Sequence, residues 1–261
     1  MRVGLGVYLA ALRAAAAGPV GPWTPADLGA DLALWLDADD SSTITLNGSD
    51  VSQWDDKSGN ARHVLQAAAS QQPVYNVTGL NGKPTITFDG TNDILLNQNA
   101  GSVGVTNISM FMVTRYVTGT GEDIVMGIGQ TGPTGAVRVF YRANGGTTQG
   151  FASWARDVGA SSLSTDIGGV HHIFEAVQPN AATVNLFRDG TAGTGNPYTF
   201  LPSATVPVNF NGFSIGSLQG PAVVNYYSNI EISEAIISYT ALSTTDRQKL
   251  EGYLAWKWGG I

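Results

Sequence analysis

Short segments in which apolar and polar residues alternate recur along most of this chain of 261 residues, and turn-forming residues separate them. Alternation with a period of two is typical of β-strands that bury one face. Asn-Gly and Asp-Gly pairs at positions 81–82, 89–90 and 189–190 supply the positive φ angles that tight hairpins need. The pattern predicts strands at residues 32–36, 85–88, 108–116, 123–128, 136–142, 149–156, 171–178, 183–188, 213–217 and 230–239. Many strands with few helical segments predict an all-β sandwich or jelly roll.

Two helices flank the predicted sandwich. At residues 24–27, a threonine cap, a proline and an acidic residue predict one short helix. At the other end, Ser243 is a suitable N-cap, and Asp246 follows three residues later. We expect this C-terminal helix to pack on the sandwich, to be required for folding, and to fray near Lys257. Its apolar face is formed by Leu250, Tyr253, Leu254 and Trp258.

The N-terminal residues differ in composition from the rest of the chain. They combine an apolar stretch with a linker rich in glycine and proline at 18–22. The stretch is similar to a short secretory signal, but Arg13 interrupts it, and it is far below the roughly 20 residues that span a bilayer. We expect residues 1–22 to form a docking arm and linker and residues 23–261 to form one domain, with a cleaved signal peptide as the alternative. The arm residues expected to contact a partner are Val3, Leu5, Val7, Tyr8, Leu9 and Leu12.

Charge and composition argue against several classes of partner. The formal net charge is −7, only 13% of the residues are charged, and Lys and Arg form no cluster. We therefore expect neither nucleic acid nor an anionic membrane as a partner, and no segment is expected to span a membrane. Cysteine is absent, which excludes disulfides and thiolate metal sites. Its absence is compatible with a reducing cytosol and equally with an extracellular or virion location.

Several short motifs occur in an order and at spacings that are similar to those of one known family. They are Trp-Asp-Asp-Lys-Ser-Gly-Asn at 54–60, Phe-Asp-Gly-Thr-Asn-Asp at 88–93, His-His-Ile at 171–173 with Leu-Phe-Arg-Asp-Gly at 186–190, Phe-Ser-Ile-Gly at 213–216, and the run at 230–243. Together they resemble LamG-like jelly-roll domains of the concanavalin A-like lectin/glucanase superfamily over residues 23–259. One departure is Val170, which stands where the family usually has a tryptophan.

The resemblance implies a fold and leaves the function open. The fold would be an antiparallel jelly-roll β-sandwich of the concanavalin A-like type, with a short N-terminal helix and a C-terminal capping helix. This fold hosts sugar binders, hydrolases and assembly modules. Similar domains are frequent in secreted bacterial proteins and in structural proteins of tailed phages.

The short apolar arm favours the phage group. The resemblance then implies a structural or decoration protein on the virion surface that is a homo-oligomer in the assembly. It would be anchored to other virion proteins of the capsid or tail, with host-surface glycans as a further partner. A secreted bacterial carbohydrate-binding or adhesion module is the alternative.

Two catalytic patterns in the sequence fail on their predicted geometry. Residues 212–216 match Gly-x-Ser-x-Gly, but Ser214 lies inside a predicted strand, and a nucleophile elbow needs an exposed turn. Glu231 and Glu234 resemble the paired acids of β-sandwich glucanases. Three residues apart on a regular strand they point to opposite faces, whereas a retaining glycosidase needs its carboxylates about 5–5.5 Å apart. We therefore predict that the protein is not an enzyme.

Calcium is the one metal for which the sequence offers candidate ligands. Asp89, Asn92 and Asp93 carry hard oxygen atoms in one turn, and many domains that the resemblance relates to this chain bind calcium. The alternative is that the acidic residues only form the turn. His171 and His172 are adjacent on a predicted strand and face opposite ways, so they cannot share a zinc ion.

A cluster of aromatic and basic residues is the candidate for glycan binding. Phe140 and Arg142 share one face of a predicted strand, and Trp154 and Arg156 share one face of the next. Aromatic faces beside polar donors suit sugars, while the alternative is that these aromatic residues belong to the core. The two pairs meet only if the hairpin at 144–146 sets the register that brings them together.

Overall fold

The computed structural model describes the sandwich and its C-terminal helix. The described residues are 22–97, 104–105, 107–118, 123–128, 138–143, 148–153, 163–164, 169–180, 182–199, 208–209, 212–217 and 226–259. The predicted docking arm lies outside these residues. The arm and the domain boundary after residue 22 therefore stay predictions.

The described strands follow the predicted pattern. In chain order they are β1 (Leu32–Asp37), β2 (Ile44–Asn47), β3 (Asp50–Trp54), β4 (Val64–Leu65), β5 (Val74–Asn76), β6 (Thr85–Asp89), β7 (Leu95–Asn97), β8 (Gly104–Val105), β9 (Ile108–Thr118), β10 (Asp123–Ile128), β11 (Arg138–Ala143), β12 (Thr148–Ser153), β13 (Leu163–Ser164), β14 (His171–Asn180), β15 (Thr183–Arg188), β16 (Thr191–Ala192), β17 (Tyr198–Thr199), β18 (Val208–Asn209), β19 (Phe213–Ile215) and β20 (Asn229–Ser238). Each strand predicted from the alternating pattern is found, with ends that differ by a few residues. The structure adds short strands between them, among them β2, β3 and β4.

Helices occupy little of the described chain. The short 3-10 helices are Pro25–Asp31, Ser41–Thr43, Ala69–Gln71 and Leu80–Gly82, and the α-helix α1 is Thr244–Trp258. The first 3-10 helix is the one predicted near the N-terminus, and Thr24 N donates to Asp27 Oδ2 at 2.7 Å. Within the part of the chain that the structure describes, no helix has the length and apolar character that a membrane span requires.

Most of the described strands form two antiparallel layers that share one core, and β8 and β18 pair separately. In the front sheet, β20 lies between β9 on one side and both β1 and β6 on the other, and β14 and β15 continue beyond β9. In the back sheet, β3, β4, β7, β19, β10, β11 and β12 follow one another. Strand β5 pairs with both β3 and β6 and so connects the two sheets. The predicted all-β sandwich is confirmed.

The core between the sheets is built from alternate residues of both. Leu34 and Ile232 of the front sheet are buried in it, as are Trp54, Met126 and Ile215 of the back sheet. Burying a side chain of this kind contributes roughly 1.5–3 kcal/mol. Because side chains alternate along a strand, the residues between them face the two outer surfaces of the sandwich.

Helix α1 covers the outer face of the front sheet. Ser243 Oγ accepts a hydrogen bond from Asp246 N at 3.1 Å, which is the predicted N-cap. The apolar side of the helix joins the sheet in a second hydrophobic cluster that contains Trp35, Phe111, Ile236, Leu250, Leu254 and Trp258. The packing predicted for this helix is confirmed.

The helix does not fray at Lys257, and that prediction was wrong. Lys257 Nζ lies 3.0 Å from Glu234 Oε2 and also donates to Asp37 Oδ1, so its charge is paired between helix and sheet. The helix continues to Trp258 and ends at Gly259, whose φ of 91° is left-handed and suits glycine. A lysine beside an apolar helix face thus stabilises the helix end when buried acids lie opposite it.

Candidate functional site

A row of paired residues crosses the outer face of the back sheet. Leu65 of β4 pairs with Gln53 of β3 and with Leu96 of β7, and Leu96 pairs in turn with Ser214 of β19. Val64, the sequence neighbour of Leu65, is buried in the core, so the row faces away from it. Leu65 is 47% exposed. Apolar surface is therefore open to solvent at this end of the row.

An open cleft of about 440 Å³ lies at the same end. It is lined by Gln53, Ala61, His63, Leu65, Gln66, Ala67, Leu96 and Asn97. Sites for small molecules commonly measure about 300–1,000 Å³ and combine apolar walls with a few polar groups. This cleft has that character, because aliphatic side chains alternate with amides and an imidazole.

The turn between β3 and β4 builds one wall of the cleft. Asp56 accepts hydrogen bonds from Trp35 N and from Arg62 N, both at 3.0 Å. Asn60 Nδ2 donates to a backbone carbonyl of β1 at 2.8 Å. These bonds give the motif at 54–60 a structural role, since its polar residues tie the turn to β1. The turn is thereby held beside β4 and β7.

Three polar side chains, of Gln53, Asp55 and His63, lie close together at this wall. Asp55 Oδ1 accepts a hydrogen bond from Gln53 Nε2 at 2.6 Å and lies 3.0 Å from His63 Nδ1. His63 Nδ1 accepts from Asp56 N at 3.1 Å, so we assign a ring proton to Nε2. Asn97 Nδ2 donates to His63 O at 2.7 Å and fastens β7 to the turn. Gln53 and His63 are thus held side by side.

The glycan candidates named from the sequence lie in another part of the back sheet. Phe140 and Arg142 belong to β11, whose register places Phe140 opposite Met126 of β10. The side chains of β11 lie outside the described part of the structure, as do Trp154 and Arg156 entirely. This cluster therefore stays a prediction.

The calcium candidates lie together in one turn after β6. Asp89 Oδ1 accepts hydrogen bonds from Thr91 N at 2.7 Å and from Asn92 N at 3.2 Å, and Asp93 Oδ2 accepts from Asp89 N at 2.9 Å. Burial raises the pKa of Asp93 to about 6. Among the described residues no group of three His, Asp or Glu is arranged to hold a metal ion. The hydrogen bonds assign these carboxylates to the turn itself, and calcium binding stays a prediction.

Ser214, the serine of the Gly-x-Ser-x-Gly pattern, lies in the middle of β19. The flanking Phe213 and Ile215 are buried in the core, and Ser214 itself is 4% exposed. A nucleophile elbow presents its serine on a sharp turn. The interpretation that this serine belongs to a strand is confirmed.

A β-bulge brings Glu231 and Glu234 to the same face of the front sheet. The register of β20 against β9 shifts between Ile232 and Glu234. Ile232 and Ala235 both lie in the core, so the glutamates beside them both face outward, toward the side that carries α1. The prediction that they point to opposite faces was wrong, because it assumed a strand without a bulge.

Glu231 forms a charged group with residues of two neighbouring strands. Arg115 donates to both carboxylate oxygens of Glu231, through Nε at 3.1 Å and through Nη2. His171 Nε2 lies 3.5 Å from Glu231 Oε2. Burial and the charge of Arg115 lower the pKa of His171 to about 4. His171 is therefore neutral near pH 7, and the charges in this group are those of the Glu231–Arg115 pair.

Glu234 is fully buried and fastens α1 to the sheet. Its carboxylate accepts hydrogen bonds from Trp35 Nε1 and Trp258 Nε1, both at 2.7 Å, and from the Tyr253 hydroxyl at 3.0 Å. Burial raises the pKa of Glu234, and the charge of Lys257 opposes this rise. Since the donors come from both β1 and α1, the network joins helix and sheet.

A second buried acid lies under the start of α1. Glu175 of β14 accepts a hydrogen bond from Arg247 Nη1 at 2.8 Å, and the same nitrogen donates to Glu251 at 3.0 Å. Burial raises the pKa of Glu175 to about 7, against the pull of Arg247. The Arg247 guanidinium also lies 4.0 Å from the centre of the Phe187 ring. Buried acids that are paired with residues of α1 thus fasten both ends of the helix to the outer face of the front sheet.

Sequence reasoning missed the cleft. Its residues come from β3, from the following turn, from β4 and from β7, and nothing in the sequence indicates that β4 pairs with β7. One signal was present: the apolar pair Val64–Leu65 lies between the polar residues His63 and Gln66, shortly after the motif at 54–60. That motif was used only as part of the resemblance.

Comparisons with known proteins yield matches at the level of fold. No model of a known protein family matches the sequence, and no curated protein sequence matches it either. Trypanosoma rangeli sialidase in complex with sialic acid gives a TM-score of 0.60 at 14% identity, covering 91% of this chain and 34% of the sialidase. The ligand-binding domain of botulinum neurotoxin serotype D, in complex with N-acetylneuraminic acid, gives 0.55 at 13% identity and covers 88% of this chain and 52% of that one. A GH54 α-L-arabinofuranosidase gives a TM-score of 0.53 at 13% identity and covers 78% of this chain and 50% of that one.

At these identities the comparisons show a shared β-sandwich fold. The chain spans about a third of the sialidase and about half of the other two structures. None of these matches is a LamG-like or phage protein. That narrower assignment stays an interpretation of the sequence motifs.

The prediction that the protein is not an enzyme is wrong in the light of these matches. The sialidases that share the fold are enzymes, and one is a mutant that displays trans-sialidase activity. The prediction rested in part on Glu231 and Glu234 pointing to opposite faces, and the bulge in β20 removes that argument. The fold therefore gives no reason to exclude glycosidase-like proteins.

Proposed function

We propose that this β-sandwich binds glycans and that the cleft beside β4 and β7 is the binding site. The observation that carries the proposal is the open cleft of about 440 Å³, in which Leu65 and Leu96 lie beside Gln53 and His63. A sugar ring presents both C–H groups and hydroxyls, so it needs apolar contact together with hydrogen-bonding partners. This cleft offers both within one wall.

The fold comparisons support the same class of ligand. The sialidase and the neurotoxin domain are described in complex with sialic acid and N-acetylneuraminic acid, and the GH54 protein is named as an α-L-arabinofuranosidase. Each of these proteins binds or acts on sugars. Because one fold hosts many functions, the cleft carries the proposal and the fold adds to it.

A glycan array followed by titration calorimetry tests the proposal. Gln53→Ala should weaken binding of an array hit about fivefold, since one hydrogen bond contributes about 1 kcal/mol. Gln248→Ala is the matched control, because Gln248 is exposed on α1 and far from the back sheet. An array without any hit would overturn the proposal, and so would binding that Gln53→Ala leaves unchanged.

For the setting of the domain we keep the proposal that the sequence resemblance favours. The domain would be displayed on the surface of a tailed-phage virion through residues 1–22, with a secreted bacterial adhesion module as the alternative. The support is the motif order and the apolar composition of the N-terminal residues. Sequencing the mature N-terminus from the native source separates the two, because a start near Gly18 would indicate secretion and would overturn the virion arm.

A further inference from the structure

We infer that the cleft selects uncharged sugars that carry an acetamido group and discriminates against sialylated glycans. This inference rests on the proposed glycan-binding function and adds the class of ligand. It is carried by three features of the cleft: the kind of apolar side chain, the sign of its charge, and the pairing of one donor with one acceptor.

The apolar surface of the cleft is aliphatic. The described lining contains two alanines and two leucines, and none of its residues is aromatic. A bare pyranose ring binds best against the flat face of an aromatic side chain. A methyl group needs only a small aliphatic contact, and Leu65 and Leu96 pair directly across β4 and β7 to supply one. The acetamido methyl of an N-acetylhexosamine matches this surface.

The charge beside the cleft is negative. Asp55 Oδ1 lies 3.0 Å from His63 Nδ1 and 2.6 Å from Gln53 Nε2, and the described lining includes neither lysine nor arginine. Arg62 follows the lining residue Ala61 but donates through Nη1 to Ala33 O at 2.8 Å and is buried. Asp55 is not itself a lining residue but contacts two of them, Gln53 and His63, so a sialic acid carboxylate in the cleft would lie near its negative charge with no described lysine or arginine in the lining to pair it. Such a like-charge contact disfavours the ligand.

The polar groups present one donor and one acceptor side by side. Gln53 uses its Nε2 for Asp55, so its Oε1 is the acceptor that remains. His63 Nδ1 accepts from Asp56 N, so its Nε2 carries a proton and donates. An acetamido group offers a carbonyl oxygen and an N–H in the same arrangement. Because Gln53 Nε2 donates to Asp55 and Asp56 N donates to His63 Nδ1, both side chains are held in place before the ligand arrives.

The test compares two pairs of matched sugars by calorimetry with the full chain. The trimer of N-acetylglucosamine differs from cellotriose only in having acetamido groups at the positions of three hydroxyls, and it should bind roughly tenfold more tightly or better. N-acetyllactosamine should bind more tightly than its sialylated form. Cellotriose binding equally well, or sialylation leaving the affinity unchanged or improving it, would overturn this inference. An absence of all sugar binding would instead overturn the proposed function.

Two variants tie the selectivity to the named residues. Leu65→Ala should reduce the preference for the acetamido sugar several-fold, whereas Leu46→Ala should leave it unchanged. Leu46 in β2 is 45% exposed and lies outside the lining, so it is a matched control for Leu65. Asp55→Asn should narrow the gap between the sialylated and unsialylated sugars. An acetamido preference that survives Leu65→Ala would place recognition of that group elsewhere and contradict the inference. A difference between sialylated and unsialylated sugars that survives Asp55→Asn would contradict it as well.

Discussion

The outer faces of the two sheets differ in how they are completed. On the front sheet, α1 closes the surface, and Glu175 and Glu234 are fully buried beneath it with partners from the helix. On the back sheet, Leu65 remains 47% exposed and an open cleft lies beside it. The same kind of strand thus supports a sealed face and an open face within one domain.

The difference indicates what each face contributes. A buried carboxylate is tolerated only when charges and hydrogen-bond donors surround it, so the front face needs its helix. The residues of this face therefore contribute to the stability of the folded protein. Half-buried amides and an exposed leucine cost little to maintain, and they remain available to a ligand. We therefore expect substitutions on the front face to change the free energy of unfolding and those on the back face to change binding.

The largest expected effect on the free energy of unfolding comes from substituting Trp258. This side chain is fully buried between α1 and the sheet, and its Nε1 donates to Glu234. Trp258→Ala should lower the free energy of unfolding by about 3–5 kcal/mol. Trp256→Ala on the same helix, where the side chain is 74% exposed, should change it by no more than about 0.5 kcal/mol. Urea denaturation measures both, and equal effects would show that α1 does not seal this face.

The next effect is a pH dependence that comes from Glu175. In the folded protein the pKa of this carboxyl is about 7, so it stays protonated until the pH approaches 7. In the unfolded chain its pKa has the ordinary value of 4.5, so it releases the proton at lower pH. The stabilising contribution is therefore present below about pH 4.5 and is lost as the pH rises to about 7. Over that interval wild type should lose up to about 3 kcal/mol relative to Glu175→Gln.

Denaturation of both proteins at several pH values provides the measurement. The difference between them removes the contributions of Asp93, whose pKa is raised to about 6, and of His171, whose pKa is lowered to about 4. These two groups change stability in opposite directions over the same interval. Parallel curves for wild type and variant would mean that Glu175 is ionised in the folded protein.

The fold could be predicted from the sequence because its signals are local. Alternation marked the long strands β9, β14 and β20, and Ser243 with Asp246 marked the start of α1. The bulge in β20 was missed because one inserted residue leaves the composition of a strand unchanged. The structure shows the bulge, because Ile232 and Ala235 are three residues apart and both point into the core.

The site could not be predicted because its geometry is non-local. Gln53 and Leu96 are brought to one cleft by the pairing of β3 with β4 and of β4 with β7. Asp56 holds the intervening turn through a bond to Trp35 N, 21 positions away. The sequence hypothesis placed the sugar contacts on aromatic residues, whereas leucines and amides are among the described residues that line the cleft.

The smallest effect on stability is expected at Leu65, and its neighbour Val64 makes the comparison within a single strand. Val64 is fully buried in the core and Leu65 is 47% exposed on the outer face. Val64→Ala should cost about 1–3 kcal/mol, since it leaves a cavity. Leu65→Ala should cost no more than about 0.5 kcal/mol, although it removes more atoms. Urea denaturation of the two variants gives both values. A cost at Leu65 as large as that at Val64 would mean that this leucine is covered in the native protein, and the back face would then be closed as the front face is.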